Sequence, residues 1–425
     1  MNGKIHTENL TQPDLRVAEV NGSPSVIADN LFGIQKISVG ECQELTILSL
    51  KAYAYSHKHW VIAWSGGKDS TATMTLVIYL ILSGQIIQPE TLTVMYADTR
   101  MELPPLAISA AKLLKQINAL NLPWLRTQVV QTDIDHRFFV YMLGRGVPPP
   151  SNTMRWCTDQ IKIWPMQQAI SAEFETRSEK VLTITGVRMG ESAIRDGRLT
   201  MACTKNGAEC GQGWYMNTLD NKVTATIAPI IHWRVCNVWD WLMYFAPQKK
   251  YGGWDTRMLA QAYGGDKANE INARTGCNGC PLVDHDTALD SVLKLYPKDW
   301  SYIEPIKELR PIYREMRSFE YRLRKHGETN NDGKLSKNPF RVGPLTIEAR
   351  KYFTQRILEV QSKINLMAYA QGKQPIDFLN DEELERIQWH WDNNIWPQRW
   401  DGTEPLATVQ FEQIFRDRSI QRQLF

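Results

Sequence analysis

A chain of 425 residues, at about 150 residues per domain, allows two or three domains and a sizeable core. With 43% hydrophobic and 22% charged residues, its composition excludes a disordered chain or a disulfide-stapled miniprotein. Its 49 basic and 46 acidic residues leave a net charge of +3, so the chain as a whole has no polyanion-binding field and any nucleic-acid surface must be local.

Residues 1 to about 35 mix Pro13, Gly22 and Pro24 with charges and show no sustained period, which predicts a flexible or loosely docked arm. The polar start Met1 to Arg16 has no signal-peptide h-region. The longest apolar run, Leu76 to Leu82, falls far short of the roughly 18 residues that span a bilayer, so a cytoplasmic protein without membrane contact is expected. Trp60 to Trp64 reads as a strand that stops at Ser65-Gly66-Gly67, and Asp69 to Leu82 follows with helical spacing. Thr91 to Ala97 is strand-like, Pro105 to Leu120 helical, Leu125 to Gln131 strand-like, and Lys180 to Thr185 a further buried strand ending at Gly186. This alternation predicts an α/β fold with a doubly wound, mostly parallel sheet over 36–247. A cysteine-bearing and basic insertion is expected over 248–342 and a helical C-terminal region over 343–425. In the latter, Ile347 to Leu366 and Asp381 to Trp391 are helical, the second opened by Asn380 with Glu383 three residues on.

Ser65-Gly66-Gly67-Lys68-Asp69-Ser70, between strand and helix, carries the strongest chemical signal. Two glycines let backbone amides turn toward one point, the helix N-terminus adds positive potential, Lys68 adds a full charge, and Ser65 and Ser70 add hydroxyls: a phosphate cradle. The spacing is not the Walker form, so cleavage of a γ-phosphate does not follow.

Seven cysteines in a long chain are too few and too unevenly spaced for a secreted disulfide framework. The close pair Cys277-Asn278-Gly279-Cys280 can put two thiolates on one metal or cluster edge. It is equally open to a redox disulfide, half a zinc site or inert buried cysteines. Residues 305 to 341 hold ten Lys or Arg against five Asp or Glu, the most basic stretch of the chain. Interleaved with Tyr313, Phe319, Tyr321 and Phe340, it reads either as a track for a nucleic-acid backbone or as one amphipathic helix, Ile306 to Arg324, with a solvated basic face. The tryptophans, among them Trp239, Trp241, Trp389, Trp391, Trp396 and Trp400, read as core or interface rather than as base platforms.

These motifs resemble the PP-loop ATP pyrophosphatases, whose signature is Ser-Gly-Gly-x-Asp-Ser. Asp98-Thr99, Arg155-Trp156-Cys157-Thr158 with Lys162, and Gly186-Val187-Arg188 with Glu191, Ser192 and Arg195 narrow the resemblance to the phosphoadenosine-phosphosulfate reductase branch. Asp98 to Pro104, the late cysteine pair, Gly343-Pro344-Leu345-Thr346-Ile347-Glu348-Ala349-Arg350 and Leu379 to Ile387 resemble the DndC family of DNA phosphorothioation sulfurtransferases, over roughly residues 35 to 400. The resemblance implies ATP-dependent adenylation of a DNA phosphodiester with release of pyrophosphate, then replacement of a non-bridging oxygen by sulfur. It implies ATP and Mg²⁺, with Lys68, Asp69, Asp98, Cys157 and Arg188 as catalytic residues. Nucleotide is expected on Ser65, Gly66, Gly67, Lys68, Asp69, Ser70, Asp98, Lys162, Gly186, Arg188 and Arg195. Asp98, with or without Asp69, is the acid expected beside Mg²⁺; Asp69 otherwise caps its helix. The resemblance also favours a [4Fe-4S] cluster on Cys157, Cys277 and Cys280 with one iron open to hydrosulfide. Cys203, Cys210 and Cys236 are candidates for a fourth ligand. Implied partners are DNA, a cysteine desulfurase as sulfur donor, and the phosphorothioation subunits DndD and DndE. Competing expectations are an enzyme acting on single-stranded DNA, a thioredoxin-dependent sulfonucleotide reductase that needs no ATP, and a non-catalytic subunit whose docking is regulated by nucleotide.

Overall fold

The computed structural model describes residues 37–177, 179–190, 214–217, 224–264, 276–325, 342–409, 413–415 and 417–421. The predicted arm over 1–35, as well as Glu191, Ser192, Arg195, Cys203, Cys210 and Phe340, lies outside the described residues. The chain opens with helix α1 (Val39–Tyr53), whose capping box, Ser38 with Glu41, has no counterpart in the expectations from sequence. Then follow β1 (His59–Trp64), α2 (Lys68–Leu82), β2 (Thr91–Ala97), α3 (Pro104–Ala119), β3 (Leu125–Val130), α4 (Trp164–Arg177) and β4 (Val181–Ile184). Strands β5 (Trp214–Asn217) and β6 (Thr224–Ala228) complete a six-stranded sheet of order β3-β2-β1-β4-β6-β5. Five strands are parallel, and β5 runs antiparallel to β6 at the edge.

The doubly wound α/β fold expected from the alternation of elements is therefore present. Strands β1, β2 and β4 are buried along nearly their whole length, as strands covered on both faces must be. The chain adds β2 and β3 on one side of β1 and β4 and β6 on the other. The order thus reverses between β1 and β4, and such sheets open a ligand crevice at the carboxyl ends of the strands there. Helix α2 is buried almost all round. Its polar positions are used internally: Thr71 accepts the indole N–H of Trp64 at 2.9 Å, and Thr75 accepts that of Trp241 at 2.9 Å.

Beyond the sheet come the short helices α5 (Val235–Asp240) and α6 (Arg257–Ala262), then α7 (Thr287–Leu295), α8 (Leu309–Glu315), α9 (Ile347–Ala370) and α10 (Asp381–Asp392). Asn380 and Glu383 form the expected capping box at the start of α10. One apolar cluster runs from Val39 through Trp241, Tyr313 and Phe353 to Ile387, so the sheet and the helices after it share a core. Among the described residues, no helix is long and apolar enough to cross a membrane.

The basic stretch corrects its expectation. A continuous helix over Ile306 to Arg324 does not form: Ser301–Glu308 is a 3₁₀ segment containing Pro305, α8 carries Pro311 in its first turn, and the chain leaves helix after Glu315. Nor is all of its described charge a solvated face. Arg322 and Arg324 are 8% and 1% exposed, and the Arg322 guanidinium donates to the carbonyls of Gly343 and Val342 at 2.8 Å. Lys325 pairs with Glu404 at 3.0 Å, and Tyr313 is buried rather than available to stack a base. Trp239 and Trp241 are core residues, whereas Trp396 and Trp400 lie against Arg350 and Lys325.

Candidate active site

The loop after β1 is shaped by its own residues. Gly66 has φ of +71°, a left-handed conformation that a side chain disfavours, and Gly67 is the extended residue before the first turn of α2. Gly186, at the end of β4, meets that turn so closely that a Cβ there would lie 2.7 Å from the Ser70 backbone. The end of β4 therefore approaches the first turn of α2 to a distance only glycine permits, which brings Arg188 over the loop. The hydroxyls of Ser65 and Ser70 lie 3.1 Å apart, and that of Ser70 donates to the Gly67 carbonyl at 3.2 Å; they brace the loop from within.

Three charged groups meet here. Asp69 accepts from Lys68 Nζ at 2.9 Å and from Arg188 Nε at 2.6 Å, and Arg188 Nη1 also donates to the Trp233 carbonyl at 3.3 Å. Burial by itself pushes the Asp69 carboxyl up, but the charges of Lys68 and Arg188 outweigh it, and the group is held below its ordinary value. Asp69 does not cap the helix in this structure; its carboxylate is engaged by the two cations. Tyr263, from the end of α6, closes the loop from the other side. Its hydroxyl accepts from the Lys68 backbone N–H at 3.3 Å, and its ring centroid lies 5.3 Å from Lys68 Nζ.

Asp98 stands at the end of β2, beside β1. Its carboxylate accepts from Gln131 Nε2 at 2.6 Å and from the Arg100 backbone N–H at 2.9 Å. Arg100 has φ of +59° and is held there by Glu383 of α10, Nε to Oε1 at 3.0 Å, which ties the Asp98 loop to the C-terminal helices. Two residues further, Glu102 is half-buried and accepts from Thr99 Oγ1 at 2.7 Å; desolvation and then the neighbouring Asp98 raise its pKa.

The cysteine loop is sewn to this segment by backbone. Cys277 forms a β-bridge with Glu102, the Asn278 N–H donates to the Met101 carbonyl at 2.7 Å, and Asn278 Nδ2 donates to the Glu102 carbonyl at 2.8 Å. Gly279 takes φ of +61° in the turn that returns the chain to Cys280. Cys157, Cys277 and Cys280 are all free and within electrostatic reach of one another. Burial raises the thiol pKa of Cys157 and Cys277, and Glu102 and Cys280 raise that of Cys277 further, whereas Lys162 lowers it. Among the described residues, no three His, Cys, Asp or Glu side chains are arranged as ligands of a single metal ion. As chemistry, the donor set of three free thiols suits a cluster, and a bound cationic centre is what would hold these thiols ionised. Asp98, a carboxylate at the strand end beside the loop, suits Mg²⁺, which takes one or two carboxylates and completes its shell with phosphate and water.

The crevice therefore gathers Ser65 to Ser70, Asp98, Gly186 and Arg188, with the three cysteines and Lys162 in an adjoining patch. Sequence reasoning missed Tyr263 and Glu102 as individual site residues. Glu102 lay inside a quoted motif, but no local pattern marks Tyr263.

A mostly parallel sheet with a glycine-rich, lysine-bearing loop at its switch point places the chain among the doubly wound α/β folds, which take their ligands at that point. Residues 59–245 match the phosphoadenosine phosphosulfate reductase domain family, a match that spans less than half of the chain. An uncharacterized protein of Methanocaldococcus jannaschii is 24% identical over 257 residues, which are 60% of this chain and 42% of that protein's length. The phosphate complex of phosphoadenylyl-sulfate reductase from Candida auris is 12% identical, with a TM-score of 0.29 over 58% of this chain and 98% of that one.

Proposed function

We propose that the chain is an ATP pyrophosphatase and sulfurtransferase that acts on the DNA backbone in phosphorothioate modification, as DndC does. The observation that carries this reading is the backbone junction between Glu102 and Cys277, which joins a thiol patch to the segment bearing Asp98, beside a phosphate loop. A nucleotide site alone suits many reactions, whereas a nucleotide site with thiols fastened beside it suits transfer of sulfur to an activated phosphate.

The chemistry balances without redox change if sulfur arrives at the hydrosulfide level. A non-bridging oxygen of the phosphodiester attacks the α-phosphorus of ATP, the bond to the β-phosphate oxygen breaks, and pyrophosphate leaves. Sulfur then attacks the activated diester phosphorus, and AMP departs with the original oxygen. The loop amides and Lys68 hold the departing pyrophosphate, and Arg188, once it exchanges Asp69 for phosphate, steadies the charge that develops. Asp98 would hold Mg²⁺, which neutralises phosphate oxygens. Cys157, Cys277 and Cys280 would hold a [4Fe-4S] cluster, which when bound supplies a site for hydrosulfide. DNA, a cysteine desulfurase, a dithiol reductant that releases its persulfide sulfur as hydrosulfide while becoming a disulfide, and the subunits DndD and DndE are the partners this reading requires.

Pyrophosphate release from ATP with double- or single-stranded DNA, paired with mass spectrometry of the digested DNA for phosphorothioate dinucleotides, tests the reading. DNA-dependent pyrophosphate release and incorporated sulfur are expected. Absence of pyrophosphate under every DNA condition would replace the enzyme by a nucleotide-regulated docking subunit. The domain match also suits reduction of a sulfonucleotide, which would appear as thioredoxin-dependent sulfite formation without ATP.

A further inference from the structure

Tyr263 has no part in the chemistry above, yet it stands on the phosphate loop from 195 residues away in the chain. Its hydroxyl is the acceptor for the Lys68 N–H, the first amide of α2 and one that no carbonyl of the helix can satisfy. A Cβ on Gly67 would stand 3.5 Å from the same hydroxyl, so the phenol oxygen rests against the loop itself. The ring is 4% exposed and edge-on to Trp239, with centroids 5.1 Å apart, which fixes the direction from which the hydroxyl arrives. Lys68 Nζ is shared between this ring and Asp69.

An amide has one proton, and a phosphate oxygen needs it at about 2.9 Å, so the phenol and a phosphate cannot both hold the Lys68 N–H. We propose that Tyr263 is a residue of the nucleotide site: its phenol occupies the loop amide in the free protein, and the pyrophosphate moiety of the incoming nucleotide displaces it. The inference rests on the nucleotide reading above and adds a competitor built into the fold. Free protein is thereby protected from holding stray anions weakly, because an anion must offer the amide more than a neutral hydroxyl does. Charge-assisted bonds to phosphate are about twice as strong as neutral ones, and the triphosphate meets that demand.

The test is Tyr263→Phe, which keeps the ring and its contacts with Trp239 and Lys68 and removes the hydroxyl that accepts the Lys68 N–H. Calorimetric titration with inorganic pyrophosphate and with a non-hydrolysable ATP analogue should give binding about threefold to tenfold tighter than wild type, the size of one neutral hydrogen bond. Unchanged or weaker binding overturns the inference, since a phenol that served the bound phosphate would lower affinity when lost. Hydrogen exchange at the Lys68 amide of the free protein provides a second reading that needs no ligand. It should quicken in Tyr263→Phe, and unchanged exchange also overturns the inference. Failure of the wild type to bind either ligand would count instead against the nucleotide reading, and the exchange experiment would still decide the place of the phenol.

Discussion

Arg188 and Arg350 are both buried, and they are held in opposite ways. Arg188 faces the Asp69 carboxylate at 2.6 Å and a single backbone carbonyl. Arg350 donates to the carbonyls of Leu345, Gly144 and Ile395 at 2.9 to 3.0 Å and stacks on Trp396 at 3.9 Å. Burial pushes the pKa of Arg350 down to about 9. A carboxylate and a phosphate oxygen present the same charge and geometry to a guanidinium, so the partner of Arg188 can be exchanged for a ligand. Backbone carbonyls belong to the fold and cannot leave, so Arg350 is a clamp between α9 and the loop at Gly144 to Gly146. The difference teaches that a buried arginine is available for binding when its partner is a side-chain anion and unavailable when its partners are carbonyls. Arg322, on the carbonyls of Val342 and Gly343, falls on the Arg350 side of that line.

The comparison breaks first, and with the largest effect, at the phosphate loop. Lys68→Ala should lower pyrophosphate release about a hundredfold to a thousandfold, the usual cost of removing one donor to developing charge. Its urea-unfolding free energy should stay within about 1 kcal/mol of wild type, because Asp69 keeps Arg188. A large loss of stability instead would make Lys68 a structural cation of the Arg350 kind. Arg350→Ala should do the reverse: about 3 kcal/mol less stability by urea unfolding, from three orphaned carbonyls and a cavity beside Trp396. Nucleotide affinity, corrected for the folded fraction, should not change.

Asp69→Asn sharpens the same contrast through pH. Because the folded state depresses the Asp69 pKa, the stability it contributes is full above the ordinary carboxylate range and is lost as pH falls through the depressed value. The variant should therefore be about 2 kcal/mol less stable than wild type at pH 7, and the two should converge in acid. A gap that stays constant as pH falls, with no convergence at any acid pH, would mean that Asp69 acts by shape rather than by charge.

How far the sequence exposed this arrangement follows from the range of each interaction. The strand ends and the loop were legible because a glycine turn between an apolar run and a helix is a local pattern, and the parallel order then fixes where the loop points. Gly186 was legible as part of a motif, but its reason, a 2.7 Å approach of an added Cβ to Ser70, is a contact between the end of β4 and the first turn of α2. The β-bridge from Glu102 to Cys277 and the reach of Tyr263 to Lys68 join distant segments, and no periodicity records them. The continuous helix expected over Ile306 to Arg324 fails for a related reason. Ten cations within 37 residues look like a surface until their partners are known, and partners such as the Gly343 carbonyl or Glu404 belong to tertiary structure.

The smallest effect tests what remains of that stretch. Among the described residues of the stretch, Lys307 and Arg314 are solvent-facing cations, with side chains 46% and 54% exposed, paired with Asp290 at 2.9 Å and Asp284 at 3.4 Å. Exposed pairs of this kind contribute little, so Lys307→Ala should change stability by no more than about 0.5 kcal/mol. If cations of this region serve the fold rather than DNA, Lys307→Glu should also leave DNA affinity and its dependence on salt unchanged in a titration at two ionic strengths. A phosphate contact at Lys307 would instead reduce the slope of log affinity against log salt by about one. That outcome would return part of the basic stretch to the DNA surface and show that an acidic surface partner, like Asp69 in the crevice, marks a cation a phosphate can claim.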